Sequence, residues 1–106
     1  MSTNGKVWIV DDDRSIRWVL EKALSREGHV VECFDAAARL LQALSRGAPD
    51  LIITDVRMPG IDGIELLEQI KRHAPTVPVI VMTAYPDLDR TVSAFQSGAF
   101  EYLSKP

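Results

Sequence analysis

Three aspartates in a row, Asp11, Asp12 and Asp13, stand directly after the apolar run "VWIV", and a separate acid, Asp55, follows the apolar run "LIIT". Two more apolar runs end in Thr83 and in Ser104-Lys105. Strands that are nearly all apolar belong to a parallel sheet covered on both faces, and in such sheets functional groups collect at the carboxyl edge. With the first, third, fourth and fifth strands side by side, one small site gathers carboxylates, a hydroxyl and an ammonium. Two like charges about 4 Å apart repel by roughly 4 kcal/mol at an effective dielectric near 20, so the acids call for a cation. Oxygen ligands with neither histidine nor cysteine nearby suit a hard ion, Mg²⁺ before Zn²⁺, and Mg²⁺ typically shares its shell between carboxylates, water and phosphate. Asp13 has a second reading as the cap of the helix that follows. Each feature alone is ordinary for a soluble fold; the chemistry lies in their sharing one edge.

The elements that must position these groups alternate along the whole chain. "KVWIV" (6–10), "HVVECF" (29–34), "DLIIT" (50–54), "VPVIVM" (77–82) and "AFEYL" (99–103) read as strands. Between them lie helical patterns. The first carries Ile16, Val19, Leu20, Ala23 and Leu24 at helical spacing and ends at Gly28. The second, over 35–47, opens on a capping Asp35, closes at Gly47 and carries Leu40, Leu41 and Leu44 on one face. The third, over 64–73, has Ile64, Leu67 and Ile70 as its inner stripe, and the fourth, over 86–98, has Leu88, Val92 and Phe95. Short connections and right-handed crossovers give a doubly wound α/β fold with a five-stranded parallel sheet. The alternation predicts a further helix after the fifth strand, so the sequence reads as one domain, 1–106, truncated after that strand. Apolar surface meant for the final helix would then favour association or domain swapping.

Bulk properties bound the function. With 106 residues, 46% of them apolar and 25% charged, the chain has the balance of one globular domain. A net charge of −3 argues against a nonspecific basic grip on nucleic acid. A single cysteine, Cys33, excludes an internal disulfide, fits a reducing compartment and reads as a packed or edge thiol. No apolar run has the roughly 20 residues of a membrane span, and the polar start "MSTNGK" carries no signal-peptide core. The expectation is a cytoplasmic protein. Trp8 and Trp18 read as packing residues, and His29 and His73 have no metal-ligand company.

The set "VDDD", "DVRMPGIDG", "VMTA" and "FEYLSKP" resembles the receiver domain of bacterial two-component response regulators, over essentially the whole chain. That resemblance implies a CheY-like, flavodoxin-like sheet of order 2-1-3-4-5. It implies that Asp55 is the phosphoacceptor and that Asp11 and Asp12 hold Mg²⁺, Asp12 directly and Asp11 through water, with the backbone carbonyl of Arg57 completing the protein's share. Thr83 and Lys105 would meet the phosphoryl group, Tyr102 would turn as Thr83 turns, and Lys105–Pro106 is a candidate cis bond. The domain would be an acceptor rather than an enzyme with external turnover. Its donor would be a phosphohistidine on a sensor histidine kinase. "SIRWVLEKAL", "DVRMPGIDGIELL" and "AFEYLSKP" are most similar to the receivers of nitrogen-regulatory transcription activators, dimeric proteins with a central ATPase and a DNA-binding end. The signalling surface would be the 83–103 face, with Pro86 either stiffening the start of its helix or simply opening it.

The same residues admit three rival readings. "WIVDDDRS" also fits the D-x-D-x-S nucleophile loop of haloacid-dehalogenase-type phosphatases, but that reading needs a longer chain and leaves "DVRMPG" unexplained. A flavodoxin-like cofactor binder would meet an FMN phosphate with acids. A receiver-like interaction module that is never phosphorylated has nothing in its favour while all five site positions are intact.

Overall fold

The computed structural model describes residues 5–56, 61–83 and 94–104. Within them the chain runs β1 (Lys6–Val10), α1 (Arg14–Arg26), β2 (Val30–Phe34), α2 (Ala37–Leu44), β3 (Leu51–Asp55), α3 (Gly63–His73), β4 (Val79–Thr83) and β5 (Glu101–Ser104). All strand pairs are parallel and the order is β2-β1-β3-β4-β5. This is the doubly wound sheet expected from the alternation of apolar runs and helical patterns. Arg57, Pro86, Lys105 and the Lys105–Pro106 bond lie outside the described residues. So does the expected helix over 86–98, apart from a helical turn at 94–96.

The two faces of the sheet carry unequal cores. On one, Trp8, Val10, Ile52, Val79 and Val81 pack under Leu40 and Leu44 of α2 and Leu66, Leu67 and Ile70 of α3. On the other, among the described residues, only Val7, Ile9, Ile53 and Met82 form the buried cluster, with Leu20 and Leu24 of α1 against them. Accordingly α1 has no fully buried residue. Its expected stripe is narrower than the sequence suggests: Ile16, Leu20 and Leu24 are half-buried, whereas Val19 and Ala23 face solvent. A helix that touches a sheet along one i, i+4, i+8 row leaves the flanking positions exposed. Trp18, expected to pack, is 61% exposed, with the Lys22 ammonium 5.7 Å from its ring centroid. Trp8 does pack, edge-on to Phe34 at 5.4 Å. Phe95 is exposed rather than part of an inner stripe.

Helix ends follow local chemistry. Asp13 caps α1 by accepting from the amides of Ser15 and Ile16. At the other end the Gly28 amide donates to Ser25 and the His29 amide to Leu24, and Gly28 has φ 90°, the paired closure that glycine permits. Asp35 does not cap α2. The helix starts one residue later than expected, Ala36 holds the cap position without a side-chain bond, and Asp35 reaches Arg39 Nε at 3.2 Å instead.

Candidate functional site

The carboxyl ends of β1, β3 and β4 build the site. Asp11 continues β1 by one step, its amide donating to the Phe34 carbonyl at 3.2 Å, and its side chain is 3% exposed. One of its carboxylate oxygens accepts from the Asp13 amide at 2.8 Å. Asp55 is the last residue of β3 and is 5% exposed. Asp12 is exposed at the surface, and the Asp13 side chain caps α1. The acid run therefore divides its labour: Asp11 and Asp12 face Asp55, and Asp13 starts a helix.

One carboxylate oxygen from each of Asp11, Asp12 and Asp55 lies within 4.8 Å of the other two. Oxygens around a Mg²⁺ ion at about 2.1 Å stand roughly 3 to 4 Å apart, so the donor set fits a hard divalent cation with little rearrangement. The chemistry of the donors fits as well, since all are oxygen and anionic.

Thr83 closes β4, 3% exposed, and its neighbour in register is Ser104 of β5. Two residues back from that pair, Val81 and Tyr102 continue through Thr54 to Val10 as one row across the four strands. Val10, Val81 and Tyr102 all belong to the larger core, Tyr102 as a half-buried member whose hydroxyl is buried with no hydrogen-bond partner among the described residues. The structure thus brings together Asp11, Asp12 and Asp55, and sets Thr83 and Tyr102 at the same end of the sheet. Arg57 and Lys105 lie outside the described residues.

Two positions that shape the site escaped the sequence reading. Gly63, the first residue of α3, lies directly on the backbone of Asp55: a Cβ there would overlap the Asp55 carbonyl oxygen and come within 2.9 Å of Val56 Cα. Its amide donates to the Val56 carbonyl at 2.6 Å. Asp62 caps α3 by accepting from the Glu65 amide at 2.9 Å. The signal was present as "DGIE", an acid, a glycine and a glutamate at the spacing of a capping box. The Asp55 carbonyl is held further by the Thr54 hydroxyl, which donates to it at 3.0 Å.

The sequence profile of the response regulator receiver domain matches residues 7–106. The chain belongs to that family. This receiver domain is 56% identical over 102 residues to the DNA-binding transcriptional regulator NtrC of Escherichia coli K12, covering 96% of this chain and 22% of that protein. It therefore spans about a fifth of the length of such curated relatives. Among solved structures, a CheY-like receiver domain protein from Methanospirillum hungatei superimposes with a TM-score of 0.90 at 32% identity, over 95% of this chain and 81% of that one. The beryllofluoride-activated NtrC4 receiver domain dimer gives 0.91 at 33% identity, over 95% and 84%.

Burial and the Glu21 carboxylate push the Cys33 thiol above its ordinary range, against a smaller opposing pull from the Arg17 guanidinium. The thiol is half-buried on β2, the outer strand of the sheet. It behaves as the packed edge residue expected.

Proposed function

We propose that this receiver domain accepts a phosphoryl group on Asp55 and passes the change to further domains of a DNA-binding transcription regulator. The observation that carries this reading is the approach of the Asp55 carboxylate to those of Asp11 and Asp12 at one buried strand edge. Asp11, Asp12 and Asp55, with the Arg57 backbone carbonyl, would hold Mg²⁺. Bound there, the ion would neutralise charge on the phosphoryl oxygens.

Asp55 supplies the attacking oxygen. As its bond to phosphorus forms, the bond from phosphorus to the donor's imidazole nitrogen breaks, and that nitrogen keeps the electron pair. Thr83 donates its hydroxyl to a phosphoryl oxygen and Lys105 pairs its ammonium with another, so the chain's contribution is positioning and charge. The acyl phosphate at Asp55 carries about 1.5 to 2 negative charges in place of the carboxylate's one, and its three phosphoryl oxygens favour a Thr83 hydroxyl turned toward it and a Tyr102 ring turned inward. The output would run through the 83–103 face.

The donor in this reading is a sensor histidine kinase. The partners in cis are an ATPase and a DNA-binding domain, in keeping with relatives of which this chain covers 22%. Control of nitrogen metabolism, a cytoplasmic location and a homodimer follow the same resemblance. None of the helices among the described residues is long and apolar enough to cross a membrane. The chemistry is tested with acetyl phosphate as donor. A gain of one phosphoryl group per chain, released by hydroxylamine as an acyl phosphate would be, supports the proposal. Multiple turnovers of an aryl phosphate would overturn it in favour of a phosphatase.

A further inference from the structure

The acid loop is fastened from outside by a residue with no part in the proposed chemistry. The Arg17 guanidinium reaches back from α1 and donates to the backbone carbonyl of Asp11 at 2.6 Å. Its own amide donates to the carbonyl of Asp13 at 3.1 Å, the first bond of the helix. Asp11 is thus held by its amide on Phe34, by its carbonyl under Arg17 and by a carboxylate oxygen on the Asp13 amide. The first is a main-chain pair, and the third joins Asp11's own carboxylate to the main-chain amide two residues on. The second depends on one side chain, half-buried against the loop it holds.

We infer that Arg17 is a positioning residue for the cation site, fixing the Asp11 backbone so that its carboxylate stays turned toward Asp12 and Asp55. The inference rests on the proposed function, in that the three acids hold Mg²⁺. Two roles for Arg17 predict opposite signs. Its positive charge near an acid cluster offsets the acids' mutual repulsion and competes with an incoming cation, so by charge alone its removal tightens Mg²⁺ binding. As a clamp on Asp11 it organises a ligand, so its removal weakens binding. A donor–acceptor distance of 2.6 Å to a carbonyl is a strong, charge-assisted hydrogen bond, and the clamp dominates.

The test is Mg²⁺ affinity by isothermal titration calorimetry on the wild type, Arg17→Met and Arg17→Lys. Methionine keeps an apolar stem of similar length and removes the donor. The expected result is affinity weakened roughly tenfold in Arg17→Met, with Arg17→Lys recovering most of it. A stability role alone would leave affinity unmoved in a folded variant. Wild-type or tighter binding by Arg17→Met overturns the inference, and so does a lysine variant as weak as the methionine one. Should Arg17→Met fail to fold, the lysine variant is compared with Arg17→Leu, which also lacks a donor, and leucine binding Mg²⁺ as tightly as lysine counts against the clamp. Absence of Mg²⁺ binding by the wild type would overturn the proposed function itself, and this inference with it.

Discussion

Gly63 and Asp55 touch backbone to backbone: the first residue of α3 sits so close to the Asp55 carbonyl that no side chain fits between them. The helix that follows the loop therefore sets where the end of β3 lies, and so where the Asp55 carboxylate is presented. Even a methyl group must push the two apart. Gly63→Ala should destabilise the domain by about 1–3 kcal/mol, the cost of overpacking a rigid contact, and should slow phosphorylation by acetyl phosphate. Urea denaturation gives the first quantity. A variant as stable as wild type would show that the contact is not tight.

Neutralising one acid should have opposite effects with and without the cation. Asp12→Asn relieves repulsion within the cluster, whose oxygens lie within 4.8 Å of one another, worth about 1 kcal/mol for an exposed charge. It also removes a ligand. The variant should melt above wild type in EDTA and lose the rise in melting temperature that Mg²⁺ gives wild type. Differential scanning fluorimetry at several Mg²⁺ concentrations reads both. A variant that melts lower in EDTA would show that Asp12 is not held against like charge.

Asp13 has another task. It caps α1 through two amides and stands apart from the three clustered oxygens. Asp13→Ala should cost about 1 kcal/mol of stability while Mg²⁺ affinity stays within about twofold of wild type. Calorimetry and denaturation together separate this from the behaviour of Asp12→Asn.

Most of this arrangement was legible in the residues. Apolar runs ending in Asp11, Asp55 and Thr83 dictate parallel strands with those groups at one edge, and the strand order follows from the resemblance those groups carry. The partition of the acid run was left open because Asp13 is both a cap and a carboxylate, and only packing decides. What the sequence hid were contacts between distant backbones. Gly63 looks like a turn residue until α3 is docked on β3, and Arg17 looks like an exposed helix charge until its reach to Asp11 is drawn. The stripe on α1 was overread because periodicity reports which residues share a face, not how wide a contact the sheet offers. Asp35 misled for a smaller reason, a helix start displaced by one residue that gave its carboxylate to Arg39.

Cys33 should respond to pH in a definite direction. Its raised pKa means that the thiolate, the reactive form, appears only above the ordinary thiol range. Alkylation by iodoacetamide should be slower than for a free thiol at neutral pH, and its rate should rise through a midpoint above that of a model cysteine. The same shift means that this residue's contribution to stability is full below the unfolded thiol's pKa and is lost as pH climbs through the folded value. A midpoint at or below the model thiol's would contradict the burial seen on β2.

The central claim is that Asp55 accepts a phosphoryl group with the help of a cation held by its neighbours. Intact mass after incubation with acetyl phosphate tests it most directly, with wild type plus Mg²⁺ set beside wild type in EDTA and Asp55→Asn plus Mg²⁺. One phosphoryl group should be gained in the first sample and none in the other two. An equal gain in Asp55→Asn, or no gain in any sample, would contradict it.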